Sequence, residues 1–346
     1  MKRFNGVMMF VILFVFSVMT SSCGSVASAL SSLLEQCENL SSDELNVDLS
    51  DECRDLEGFL ADNQDNLTTK TEIMSVREGG GYTDAVLLIT DSEGNPVTGL
   101  DKTSVTASVS DDSGATYTTL TDYDVYTYEE LATREPGSDH MSFASVIDYS
   151  GSILDDDLDF VTDSLVYVYQ NMPEMYRSEV VKFSTDVQVT QAFTSDTAAL
   201  ISAVQDTSYE RGYTSMYDGM YQALQDTAAE TATLKLNILF TDGVDNDSTV
   251  DYDTVKAYFQ AQKIPVCVVG VGFANVTTLR EIADDSGCFF IYRQLFTELE
   301  GAFESVVSQM EDLYRVRMDP DDLVGMDTLK LTVDNGSGVR EVTSAL

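Results

Sequence analysis

Histidine is almost missing from this chain: among 346 residues there is one, His140. That scarcity removes much enzyme chemistry. Zinc hydrolases commonly take two or three ligands from histidine, and nucleophilic triads need a His base. His140 stands just before an apolar run and reads as a strand-edge residue, so no enzymatic activity is expected. Positive charge is scarce as well. The 19 Lys and Arg face 59 Asp and Glu, a formal net charge of -40 at pH 7. Nucleic-acid binding needs Lys and Arg to displace counterions from phosphates, so no nucleic acid is expected as a partner. The same balance excludes adsorption to anionic lipid. The N-terminal apolar run from Val7 to Phe16, even extended to Met19, is shorter than the roughly 20 residues that a membrane-spanning helix requires.

What is present at the N-terminus is an export signal. Lys2 and Arg3 precede the apolar run, and the small residues Thr20-Ser21-Ser22 lead into Cys23, the layout of a secretory leader. Cys23 in that place resembles a bacterial lipoprotein box, although Thr20 stands where an aliphatic residue is usual. The resemblance implies a signal peptide over 1–22, lipidation of Cys23, and a protein tied to the cell envelope (outer membrane or cell surface) through lipid alone. Plain secretion is the alternative. Four further cysteines then remain, and an even number in an oxidising compartment invites pairing. Cys37 and Cys53 lie in neighbouring helical patterns and are one candidate pair.

Three short segments carry the chemistry. They are Asp148-Tyr149-Ser150-Gly151-Ser152, then Thr214 within Gly212-Tyr213-Thr214-Ser215, then Asp242 within Phe240-Thr241-Asp242-Gly243. Each sits where an apolar strand run ends or where a loop leads into a helical pattern, which is where open α/β sheets gather their ligand sites. Carboxylates and hydroxyls are hard oxygen donors, suited to Mg²⁺ or Mn²⁺, with Ca²⁺ possible. Ser150, Ser152 and Thr214 would give neutral oxygens, and Asp148 and Asp242 would give charge. Five protein positions leave an octahedral ion able to take one more oxygen from outside. Other acidic groups read differently. Asp155-Asp156-Asp157 and Asp319 with Asp321-Asp322 read as solvated faces or turns. Asp245-Asn246-Asp247 lacks the Gly and distal Glu of an EF-hand and reads as a helix-start loop.

These segments, in this order, resemble the von Willebrand factor type A domain with its metal-ion-dependent adhesion site, over about residues 140–315. Leu234 to Gly243 looks like that family's central strand and acidic turn, and Ile264 to Gly272 looks like its next strand. Leu279 to Ala283 and Gly287 to Tyr292 look like the following helix and last strand. Gly212-Tyr213-Thr214 departs from a more usual Gly-Gly-Thr, and Cys288 from Gly. The resemblance implies an ion held by Asp148, Ser150, Ser152, Thr214 and Asp242. It also implies a protein ligand that presents an Asp or Glu carboxylate, with Tyr149, Tyr213 and Val244 as exposed rim residues that shape selectivity. In this fold Cys267 and Cys288 would lie near the starts of neighbouring parallel strands, either bridged or acting as buried thiols. The implied function is cell-envelope binding or adhesion. The alternative is a structural subunit or scaffold of an envelope complex.

The expected organisation follows from periodicity. Residues 23–81 read as a helical, polar, lipid-anchored spacer, ended by Gly79-Gly80-Gly81. Residues 82–135 turn to β, and 316–346 supply strands that would complete the same immunoglobulin-like β-sandwich. Between them, 138–315 alternates strands at 141–148, 179–184, 187–193, 234–241, 266–273 and 288–293 with helices at 153–172, 196–206, 216–231, 252–262, 276–286 and 297–313. That alternation predicts an α/β fold with a doubly wound, mostly parallel sheet, inserted in or following the sandwich.

Overall fold

The computed structural model describes residues 71–346, apart from 80, 92–95, 128–129, 131–133, 135–140, 175, 273, 335–337 and parts of 300–311. The leader at 1–22, Cys23, Cys37, Cys53 and His140 lie outside the described residues, as does the helical pattern before residue 71.

Five strands precede the motif-bearing region: β1 (Thr71–Gly79), β2 (Tyr82–Ile89), β3 (Val105–Ser110), β4 (Thr118–Thr119) and β5 (Tyr123–Thr127). The α/β region then runs β6 (Met141–Asp148), α1 (Asp155–Asn171), β7 (Tyr176–Phe183), β8 (Val187–Thr194), α2 (Thr197–Gln205), α3 (Met216–Ala229) and β9 (Leu234–Thr241). It continues with α4 (Tyr252–Gln262), β10 (Val266–Val271), α5 (Val276–Ser286) and β11 (Phe290–Arg293). The chain closes with β12 (Tyr314–Met318), β13 (Thr328–Asp334) and β14 (Val339–Ala345).

Strands from the two flanks interleave. One sheet has the order β1-β2-β12-β5 and the other β14-β13-β3-β4, all pairs antiparallel. Leu87, Ile89, Val316 and Met318 of the first sheet share a core with Val105, Ala107, Leu329 and Leu331 of the second. β2 is covered on its other side too, where Val86, Leu88 and Met74 join the core of the α/β region with Met310 and Leu313. Burial on both faces is why Ala85 to Ile89 reads as a continuous apolar run rather than an alternating one. Each such Val or Leu contributes about 1.5–3 kcal/mol. Where β2 meets β12, Asp84 is opposite Arg317 and accepts Nε and Nη2 at 2.9 and 3.0 Å, with the fully buried Arg315 Nη1 at 3.4 Å.

The α/β sheet has the order β11-β10-β9-β6-β7-β8, parallel except for the antiparallel edge strand β8. Helices lie on both faces. Ile238 and Phe240 of β9 share a core with α1, whereas Asn237, one residue out of phase, bonds Thr227 of α3 at 2.7 Å. From β6 the chain first builds outward through β7 and β8, then returns to place β9 on the other side of β6. The order therefore reverses between β6 and β9, the place where such sheets open a crevice at their carboxyl ends.

Most expected elements stand within a few residues of their predicted bounds, and three differences are informative. The helical reading of 23–81 fails over Thr71–Gly79, which is strand β1. Its register shifts between Ile73 and Ser75, so Ile73 and Val76 pack toward the inter-sheet core while Met74 faces the α/β core. A bulge of this kind puts residues three apart on one face, which imitates helical spacing in the sequence. Gly79 closes β1 opposite Tyr82 of β2, and Gly81 turns the chain into β2 at φ +85°. At the far end, the strand expected from 288 begins at Phe290, because the Cys288 N–H closes α5 on Ala283 O at 2.9 Å; Cys288 is bonded to Cys267 of β10, with Cα atoms 4.9 Å apart. Leu299, Phe303, Val306, Val307 and Met310 are helical and buried, but Leu313 lies beyond the helical residues, one step before β12.

Candidate metal centre

β6 delivers Asp148 to the carboxyl edge fully buried. Its Oδ1 accepts the Ser150 backbone N–H at 2.7 Å, an Asx-type turn that bends the chain and aims Ser150 back at it. Its Oδ2 accepts the Thr241 hydroxyl at 2.6 Å from the end of the neighbouring β9. From there a chain of polar atoms crosses the crevice. Ser150 Oγ lies 2.9 Å from Ser152 Oγ, and Ser152 Oγ donates to Asp242 Oδ1 at 2.8 Å. Thr214 closes the group: a methyl placed on Gly243 would lie 3.6 Å from Asp148 Oδ2 and 3.7 Å from Thr214 Oγ1. The five oxygen-bearing residues named from sequence thus lie on neighbouring loops at this edge, with Ser150, Ser152 and Asp242 in one hydrogen-bonded chain.

The loops are stitched together from several directions. Gly151 N–H donates to Gly212 O at 2.9 Å, and Arg211 donates to Ser150 O at 2.9 Å and to Asp155 at 2.6 Å. Gly212 has no room for a side chain, since a Cβ there would sit 2.1 Å from Thr185 Oγ1, the atom that accepts Tyr213 N–H. Thr214 is pinned by Asn246, which accepts Thr214 N–H on Oδ1 and donates its own N–H to Thr214 O, both at 2.9 Å. The Ser215 side chain makes no cap bond at the start of α3. The orphan N–H groups of Tyr217 and Asp218 go instead to Asp245 and Ser248. The Asp245-Asn246-Asp247 segment is thus no helix-start loop for α4, whose own cap is Asp251. It holds the Thr214 loop against the Asp242 loop.

Electrostatics set this group apart. Burial raises the Asp148 pKa, partly offset by the hydrogen bonds from Ser150 and Thr241. Burial, and then the charge of Asp148, push Asp242 up to about 6. Two carboxylates held together out of water disfavour each other's ionisation. The cations beside them are committed elsewhere. Arg211 is bound to Ser150 O and Asp155, and Lys182 donates to Asp206 O at 2.5 Å beneath the Tyr149 ring. Two acids short of a counter-charge, with three hydroxyls around them, fit a hard divalent cation. The hydroxyls carry much of that fit. Among the described residues no group of three or more His, Cys, Asp or Glu is placed to hold a metal.

The rim residues divide. Tyr213 is 66% exposed and Val244 48%. Tyr149 is a correction, because it is buried at 2%, with its hydroxyl on Val204 O at 3.1 Å and its ring against Lys182 and Tyr209. An aromatic residue that directly follows a buried strand end continues the strand's alternation into the core. Sequence reading also missed Thr241, Asn246 and Arg211. Thr241 could have been found as the hydroxyl at the end of β9, one residue before Asp242. The other two act through tertiary contacts with no local signal.

Residues 143–305 match the family profile of the von Willebrand factor type A domain. No curated protein matches the chain. Among solved structures the chain is similar to proximal thread matrix protein 1 from the mussel byssus, described with a zinc-occupied MIDAS motif. That match has 20% identity over 51% of this chain and 46% of that one, with a TM-score of 0.45. It is also similar to the vWF domain of the type V pili tip protein Mfa5 from Porphyromonas gingivalis, at 12% identity over 49% of this chain and 95% of that one, TM-score 0.42. A third similar structure is the PilB minor pilin from Streptococcus sanguinis, at 13% identity over 70% and 79%, TM-score 0.43. The chain spans about half the length of the mussel protein.

Proposed function

We propose that the type A region, residues 143–305, is a metal-dependent binding module that captures an acidic residue of a protein ligand. The observation that carries this reading is the convergence of Asp148 and Asp242, short of counter-charge, with Ser150 and Ser152 at the carboxyl edge of β6 and β9. Mg²⁺, or Mn²⁺ or Ca²⁺, would be held by Asp148, Ser150, Ser152, Thr214 and Asp242. Bound there, the cation supplies a Lewis-acidic position for one outside oxygen. The protein's own work is to neutralise with two carboxylates, to leave residual positive charge by contributing hydroxyls rather than further acids, and to fix the three loops through Asn246, Gly212 and Arg211. No bond is made or broken. In this reading the doubly wound sheet is set in an immunoglobulin-like sandwich drawn from both flanks. The whole is a lipid-anchored protein of the cell envelope engaged in adhesion.

Calorimetric titration of the purified chain with Mg²⁺, Mn²⁺ and Ca²⁺ tests this, beside Asp148→Ala and Asp242→Ala. The expected result is binding at millimolar strength or tighter, lost in both variants while the thermal transition persists. Equal heats from all three proteins would leave the domain as a scaffold of an envelope complex that assembles without metal.

A further inference from the structure

The loops that bear the five oxygen ligands also bear three apolar side chains held out into solvent. Leu154 is 65% exposed and lies two residues after Ser152. Tyr213 directly precedes Thr214, and Val244 lies two residues after Asp242. Each comes from a different loop of the candidate site, so the three do not form a stripe on one element. Fixed backbone contacts hold them in place: Asp157 N–H on Leu154 O at 3.1 Å, Tyr213 N–H on Thr185 Oγ1 at 2.9 Å, and Asn246 N–H on Thr214 O at 2.9 Å beside Val244. Exposed apolar groups gathered at a polar centre mark a contact surface.

The charge around them has one sign. The Asp155 side chain is 92% exposed, and Asp186 and Asp247 are exposed on the loops that hold Tyr213 and Thr214. Arg211 is the cation at this rim, and its two Nη groups are taken by Asp155 and Ser150 O. A ligand that offered several acids would meet uncompensated repulsion at low salt, whereas cationic flanks would meet exposed carboxylates.

We infer that the partner of this site is a protein loop carrying a single carboxylate flanked by aliphatic or aromatic residues and, beyond them, by Lys or Arg. This rests on the proposed metal-dependent capture and narrows it. The carboxylate goes to the metal position, its apolar neighbours lie on Leu154, Tyr213 and Val244, and the basic flanks reach Asp155, Asp186 and Asp247.

The test uses the full chain loaded with Mn²⁺ and five-residue peptides acetylated at the N-terminus and amidated at the C-terminus, with binding read by calorimetry at low and high salt. Lys-Leu-Asp-Leu-Lys is expected to bind about tenfold more tightly than Glu-Leu-Asp-Leu-Glu at low salt, with the gap shrinking at high salt. It is also expected to bind about tenfold more tightly than Lys-Ser-Asp-Ser-Lys, a gap that closes in the triple variant Leu154→Ser, Tyr213→Ser, Val244→Ser. Lys-Leu-Asn-Leu-Lys should not bind. If Mn²⁺ itself does not bind, the metal reading falls. If Mn²⁺ binds but the peptides bind equally or not at all, or the triple variant keeps the preference, the metal reading stands and the partner inference is overturned.

Discussion

Two buried aspartate settings in this molecule are solved in opposite ways. Between β2 and β12, Asp84 is gripped by Arg317 in a two-pronged contact and touched by the fully buried Arg315. At the carboxyl edge of β6 and β9, Asp148 and Asp242 receive hydrogen bonds from hydroxyls and a backbone N–H but no guanidinium or ammonium. The first setting is closed within the chain and joins strands far apart in sequence. The second is left short of positive charge in a place that faces out of the sheet. A third acid lies between these extremes. Glu179 of β7 is 2% exposed, has one carboxyl oxygen without a hydrogen-bond partner, and is pushed up to about 8 by burial and by Asp226 and Glu230. The same residue chemistry thus serves as a clamp, as a neutral core group, or as an open valence, according to which cations the fold brings near.

The comparison can be broken most forcefully at Asp84. Asp84→Ala leaves Arg315 buried without this partner and is expected to cost about 3–5 kcal/mol, read as a lower denaturant midpoint with unchanged slope. At Glu179 the sign reverses. Its folded pKa of about 8 exceeds the ordinary 4.5, so the folded state holds the proton longer than the unfolded state. Stability is therefore full below pH 4.5 and declines as pH rises toward 8, by about 3 kcal/mol near neutrality. Glu179→Gln should flatten that slope, and an unchanged slope would place the titration elsewhere. Asp242 follows the same rule over a lower window, from 3.8 to about 6. Without metal, Asp242→Asn is expected to raise stability by about 1–2 kcal/mol at pH 7.5, allowing for partial exposure, while metal binding is lost. The smallest effect is at Gly212. Gly212→Ala drives a Cβ against Thr185 Oγ1, costing about 1–2 kcal/mol and weakening metal binding severalfold without abolishing it.

The legible parts of the sequence share a physical reason. Strand 234–241 and helices 252–262 and 276–286 have the bounds that their patterns predict. The two helices carry local start signals, Asp251 and Asn275, whose side chains cap the first turn, and α5 ends on Gly287 in the left-handed conformation. The five oxygen-bearing residues proposed as ligands were legible because each lies in a short segment that follows an apolar strand or leads into a helix. β1 was not, because its bulge at Met74 breaks the alternation that announces a strand. The burial of Tyr149 was not, because a polar loop motif gives no hint that one of its members turns inward over Lys182. Arg211, Asn246 and Glu179 owe their roles to neighbours 32 or more residues away in sequence.

The most direct test of the central claim is anomalous diffraction from crystals of the chain soaked in Mn²⁺. The account predicts one strong peak among the side-chain oxygens of Ser150, Ser152 and Thr214, beside Asp148 and Asp242, and none in crystals of Asp148→Ala. A peak elsewhere, or an equal peak in the variant, would contradict it.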